Sequence, residues 1–146
     1  MVLMHMLGQP ETMQSNPTYG NVVDEVHAFL AERLAAAACA KLPPERCILD
    51  VGLGFGKRLE HNLELLANLR AFTDLECPIL AGPSRKGFLG EITGQTRPAD
   101  RGPATVAACL AAWREGATIF RVHDVRPLAD ALAVVTAIEK RRCTLH

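Results

Sequence analysis

Apolar residues fall into two kinds of run along this chain. Four short blocks, Val2–Met6, Cys47–Val51, Ile79–Ala81 and Thr118–Val122, are dominated by apolar residues and bounded by Gly, Pro or polar positions. Runs of that length with such punctuation read as buried strands. Between them, apolar residues recur at helical spacing. Val22, Val26, Phe29, Leu30 and Leu34 predict a helix from Asn21 to Ala40, and Leu59, Leu63, Leu66 and Leu69 predict a second with those leucines on one face. Ala104 to Glu115 predicts a third, and Leu128, Leu132, Val135 and Ile138 supply the buried face of a last. The end signals agree. Asn21 with Asp24 resembles a capping arrangement, Leu42-Pro43-Pro44 closes the first helix, Gly116 stops the third, and Pro127 suits the first turn of the last. Leu7–Gly20 and Thr93–Arg101 have loop composition, and the tail from Lys140 reads as frayed.

Four β–loop–α units in succession predict a parallel sheet with crossover helices. Two architectures fit, an open doubly wound sheet or part of a (β/α)8 barrel. Both place ligands at the C-terminal ends of the strands, where the polar clusters of this chain lie. A complete barrel takes about 250 residues, so four units amount to half of one.

Composition narrows the class. The 146 residues suit one domain, 1–146, with 49% hydrophobic and 22% charged content. Sixteen basic residues balance sixteen acidic ones, so no overall field points to nucleic acid or an anionic membrane. Any anion site must be a local cluster. The five cysteines, Cys39, Cys47, Cys77, Cys109 and Cys143, are an odd set without a CxxC pair, each in or beside an apolar run. They are expected to be buried, reduced thiols in a cytoplasmic protein. No run reaches transmembrane length, and the N-terminus lacks signal-peptide character.

The candidate chemistry sits at strand ends. Asp50 closes an apolar strand, and an ionised carboxylate offers only acceptors, suited to a guanidine-like ring edge; the alternative is a cap for the glycine loop that follows. That loop, Gly52-Leu53-Gly54-Phe55-Gly56-Lys57, lacks both the GxGxxG spacing and a GK[ST] ending. Its glycines are expected to let the backbone pass close to a ligand, with Phe55 leaning over it. Pro78–Gly90 carries Ser84, Arg85 and Lys86 beyond a Gly82-Pro83 break. It reads as a polar-ligand receptor, because no GxSxG elbow supports a serine nucleophile. Arg121 and His123 are two apart on a strand and are expected to share a side with Ile119, facing inward, while Phe120 and Val122 face the helices. A cation beside an imidazole can hold a phosphate; the alternative pairs Arg121 with Asp124. His5 is as readily a core histidine as a contact, and no spacing of His, Cys and Asp resembles a metal site. Asp24, Glu25 and Glu32 read as a solvated helix face, and His27, His61 and His146 as surface or helix-end residues.

Together these strand ends resemble the dihydropteroate synthase family of folate biosynthesis, the sulfonamide target. The motifs are MHMLGQPETMQ (Met4 to Gln14), ILDVGLGFGK (Ile48 to Lys57), GPSRKGFLG (Gly82 to Gly90) and RVHDV (Arg121 to Val125), one per βα unit. The resemblance implies the C-terminal half, strands five to eight, of a (β/α)8 barrel. It implies a transferase that joins p-aminobenzoate to 6-hydroxymethyl-7,8-dihydropterin pyrophosphate and expels pyrophosphate with Mg2+ assisting, in a homodimer. Asp50 and Lys86 would hold the pterin with Met4 and Gly82 nearby. Ser84, Pro83 and Phe55 would border the aminobenzoate. Arg121 and His123 would bind pyrophosphate, with Arg121 also covering the pterin; the metal ligand is expected outside these residues. Val51 stands where the family usually has proline, and Leu53 where it often has an aromatic or isoleucine. The 146 residues alone are expected to bind weakly, to turn nothing over, and to dimerise or aggregate through open sheet edges. The alternatives are the pterin-binding domain of a corrinoid-dependent methyltransferase, which has no use for a pyrophosphate clamp, and a non-catalytic truncated copy.

Overall fold

The computed structural model describes residues 1–142; Cys143 and His146 lie outside them. Four short strands, β1 (Val2–Met4), β2 (Ile48–Asp50), β3 (Ile79–Ala81) and β4 (Ile119–Phe120), form one parallel sheet in chain order. Three of them are shorter than their apolar blocks. The residues after β1 and β4, His5 and Arg121, each keep one amide bond to the neighbouring strand, to the Asp50 and Ala81 carbonyls, and carry polar side chains. In register, Met4 stands beside Asp50, Asp50 beside Leu80, and Ala81 beside Phe120. The C-terminal ends are thereby level, which places Asp50, Gly82 and Arg121 on one rim.

The connections are helical. α1 (Val22–Cys39) starts at Asn21, whose side chain accepts from the amides of Val23 and Asp24. Glu25 stays exposed, as expected of a solvated face, and also accepts from the amides of Gly20 and Asn21, closing the same cap. Val22, Val26 and Leu30 bury completely, as their spacing requires. α2 (Leu59–Ala67) turns differently from the expected leucine face. Leu65 and Leu66 are buried while Leu63 is 43% exposed, and Leu69 belongs to the 3₁₀ turn Leu69–Leu75 that follows. Asn62 turns inward to accept the Gly54 amide and Leu65 buries on the same side, leaving Leu63 on the outer side.

A short helix the apolar pattern did not separate, α3 (Gly87–Thr93), follows the third strand end and buries Phe88 and Leu89. α4 (Gly102–Arg114) buries Cys109 and Ala112. α5 (Val125–Arg142) remains helical past Lys140, where fraying is expected, and of its predicted face only Leu128 is fully buried. Ile138 is 50% exposed. The helices pack in chain order, α1 on α2, α2 on α4 and α4 on α5. Among the cysteines, Cys47, Cys77 and Cys109 are buried free thiols, but Cys39 is exposed at the last turn of α1. No helix among the described residues is long and apolar enough to cross a membrane.

Candidate active site at the strand ends

The glycine loop after β2 is the frame of the site. Gly52, Gly54 and Gly56 have φ of 70°, 77° and 63°. At Gly52 a Cβ would lie 1.8 Å from the His5 carbonyl oxygen, so the loop can close over β1 only without a side chain there. Its backbone groups find side-chain partners from far along the chain. Gly54 donates its amide to Asn62 Oδ1 at 2.7 Å, Gln14 donates to the Gly54 carbonyl at 2.6 Å, and Tyr19 donates to the Gly56 carbonyl at 2.7 Å.

Beneath the loop lies Lys57, 3% exposed. Its ammonium donates to the carbonyls of Gly52 and Phe55 at 3.0 and 3.1 Å, and it stands 2.9 Å from His5 Nδ1. Three acceptors around three N–H bonds satisfy a group that burial would otherwise expel. Burial still lowers the Lys57 pKa from 10.5 to about 7, with the Asp50 charge pulling it back up. Burial, then the Lys57 charge, lowers His5 to about 4, so the imidazole is neutral and free to accept. His5 is a satisfied core histidine, T-stacked on Phe29 at 5.0 Å. Lys57 was legible only as the end of a glycine loop.

Asp50, 3% exposed, combines the two roles left open for it. Oδ1 accepts the Gly52 amide at 2.8 Å, as a loop cap. Oδ2 faces Arg121 Nη1 at 3.4 Å and remains open to a ligand. Burial raises its pKa, opposed by the Gly52 amide and by the charges of Arg121, Lys86 and Lys57. Lys86 lies with its ammonium 3.9 Å above the centre of the Phe55 ring. Burial pulls its pKa down while Asp50 pulls it up.

Asp50, Phe55, Gly82, Ser84, Lys86, Arg121 and His123 line one cleft of about 270 Å³, with Leu53 and Val122. Met4 flanks Asp50 in the sheet and Pro83 is buried; neither lines the cleft. Val122 lines it beside its neighbours instead of facing the helices, because β4 ends at Phe120 and strand alternation ends with it. Arg121 pairs with Asp50, and Asp124 with Arg85 at 2.8 Å, so the alternative Arg121–Asp124 bridge does not form. Ser84 Oγ lies 2.8 Å from His123 Nδ1 and accepts the His123 amide at 3.2 Å. A side wall is fixed by Arg101, whose guanidinium donates to the carbonyls of Gln95, Arg85 and Thr96 and packs where any Cβ on Gly90 would collide.

A buried carboxylate, two cations, an aromatic face and an imidazole at one rim of a parallel sheet are chemically suited to a flat polar ring bearing an anionic group. The pterin binding enzyme family matches residues 1–123, and the chain belongs to that family. Its relatives include dihydropteroate synthases. That of Neisseria meningitidis serogroup C is 47% identical over 137 residues, covering 93% of this chain and 48% of the relative. The dihydropteroate synthase structure from Stenotrophomonas maltophilia with active site-bound imidazole matches with TM-score 0.92 and 50% identity over 94% of this chain and 52% of that one. The Thermus thermophilus enzyme in complex with 6HMPPP matches with TM-score 0.89 and 45% identity, over 94% and 55%. The four βα units are therefore part of a (β/α)8 barrel, and the chain spans about half the length of the curated relatives it matches.

Proposed function

We propose that residues 1–146 form the pterin-binding portion of a dihydropteroate synthase, a cytoplasmic transferase of folate biosynthesis. The observation that carries this reading is the convergence of Asp50, Lys86, Arg121 and His123, from three βα units, on one cleft. Asp50 Oδ2 accepts from the amino and ring N–H edge of the pterin, with Lys86 donating to the ring's acceptor side and Phe55 bordering the aminobenzoate. Arg121 and His123 take the pyrophosphate of a substrate such as the 6HMPPP bound by the Thermus enzyme. The arylamine nitrogen, neutral at pH 7, attacks the pterin methylene. The C–O bond breaks toward pyrophosphate, whose growing charge the cationic rim stabilises, and the nitrogen sheds its proton to solvent.

The Mg2+ implied for such enzymes is expected to take its ligand outside these residues. Among the described residues no three His, Cys, Asp or Glu gather to hold an ion, and the polar groups of the rim are mainly cationic or donors. No step is assigned to it.

The same reading includes a homodimer. An apolar groove of about 550 Å³ between α2, α3 and α4, edged by the exposed Leu63 and Ile92 and floored by Ala104, Ala108 and Ala111, supports an isologous contact there.

The division of roles is tested by titrating 6-hydroxymethylpterin and inorganic pyrophosphate separately into the chain. Lys86→Ala is expected to weaken the pterin about tenfold or more and spare pyrophosphate, and His123→Ala the reverse. Equal effects of both changes on both ligands would overturn the assignment.

A further inference from the structure

His123 is held from one side only. Its Nδ1 is 2.8 Å from Ser84 Oγ, and its Nε2 has no partner among the described residues. Which ring nitrogen carries the proton decides what the imidazole can do at the cleft. A pyrophosphate offers only oxygen acceptors, so Nε2 must bear hydrogen to bind it.

The surroundings of Ser84 resolve the choice. Its Oγ already accepts the His123 backbone amide at 3.2 Å, and Ser84 is 9% exposed. The only other polar partner of its hydroxyl among the described residues is His123 Nδ1. If Nδ1 carried the hydrogen, Oγ would accept twice and its own proton, on a largely buried side chain, would face no acceptor among the described residues. If the hydroxyl donates to Nδ1, both groups are satisfied and the ring hydrogen lies on Nε2.

The two residues are also clamped together. The Arg121 amide donates to the Ala81 carbonyl at 3.1 Å, and the Arg85 side chain holds Asp124 at 2.8 Å. The Arg85 amide in turn donates to Thr105 Oγ1 at 3.1 Å. The segments carrying Ser84 and His123 are thus tied on both sides of the contact.

We infer that Ser84 is a positioning residue that holds His123 as its Nε2–H tautomer and turns that donor to the anion end of the cleft. The inference rests on the pyrophosphate reading of Arg121 and His123 for its purpose, though not for its geometry. It also narrows what Ser84 can offer an aminobenzoate. With its O–H donated to Nδ1 and one lone pair engaged by the His123 amide, the hydroxyl keeps only acceptor capacity.

The test is long-range ¹H–¹⁵N spectroscopy of histidine-labelled chain at pH 8, with the His123 signals assigned by their loss in His123→Gln. The wild type is expected to show Nε2–H. Ser84→Ala should give mixed tautomers and lower inorganic pyrophosphate affinity about tenfold, and Ser84→Thr should restore both. Ser84→Cys keeps the volume with a weak donor and reads the same way if alanine costs the fold. An Nδ1–H tautomer in the wild type, or an unchanged tautomer in Ser84→Ala, would overturn the inference. If Ser84 sets the tautomer yet wild-type chain has no affinity for pyrophosphate, the positioning role stands and the pyrophosphate reading falls.

Discussion

Lys57 allows a sharp test of how the site is held. The unfolded chain keeps this lysine's proton up to the ordinary pKa of 10.5, whereas the folded chain releases it near 7. Between those values the unfolded state binds more protons, so raising the pH stabilises the fold through this group. The penalty for a buried ammonium is full below pH 7 and fades toward 10.5. From pH 7 to 9 the one-site linkage amounts to about 2 kcal/mol. The perturbation is Lys57→Met, which keeps the stem's length and removes the titration. It also orphans the Gly52 and Phe55 carbonyls, an offset of a few kcal/mol that does not depend on pH. The buried thiol Cys109, raised to about 11, and Tyr19, raised to about 12, titrate higher, and His5 at about 4 titrates lower. Cys109 and Tyr19 are common to both proteins, and His5, which loses the Lys57 charge in the variant, stays buried and titrates below this window, so the difference between the two stability curves isolates Lys57. Urea unfolding at fixed protein concentration with reductant, followed by the single tryptophan, Trp113, gives the curves. The wild type should gain about 2 kcal/mol on Lys57→Met between pH 7 and 9. Parallel curves would show that the buried amine does not titrate as its surroundings require.

Two further outcomes follow from the geometry. Gly52→Ala, which sets a Cβ 1.8 Å from a backbone oxygen, should cost on the order of 3 kcal/mol. Gly94→Ala, at a similar φ of 73° with nothing within 4 Å, should cost only about 1 kcal/mol, and equal losses in urea unfolding would refute the close-approach argument. If the α2–α3–α4 groove is the dimer face, Leu63→Glu with Ile92→Glu should yield monomers by sedimentation, and an unaltered mass would place any dimer elsewhere.

The four-unit plan was legible because each strand is a short apolar block and each helix has its own punctuation. The candidate site was legible because Asp50, Lys86, Arg121 and His123 are polar residues stranded at the ends of such blocks. What escaped depends on contacts between distant segments. The burial of Lys57 requires His5 from another strand and two carbonyls that only the left-handed glycines aim inward. The turning of Leu63 outward reflects Asn62, a polar residue drawn inside because Gly54 offers it an amide. Helical periodicity weighs apolar residues alone and cannot anticipate that choice. Cys39 lies beside an apolar run yet on an exposed face of α1.

The sheet order β1-β2-β3-β4 repeats the order of the chain, each strand lying beside the one made a single βα unit earlier. A strand leaving the ribosome therefore finds its partner already present and never waits for a later segment to be inserted between two earlier ones. Assembly can proceed by accretion at one growing edge, with loop closures of similar length at every step. A substitution in β1 or its docking helix α1 should delay everything after it, while one in β4 should leave the earlier layers formed. The anion end of the cleft, built on β4, then forms after the parts built on β2 and β3.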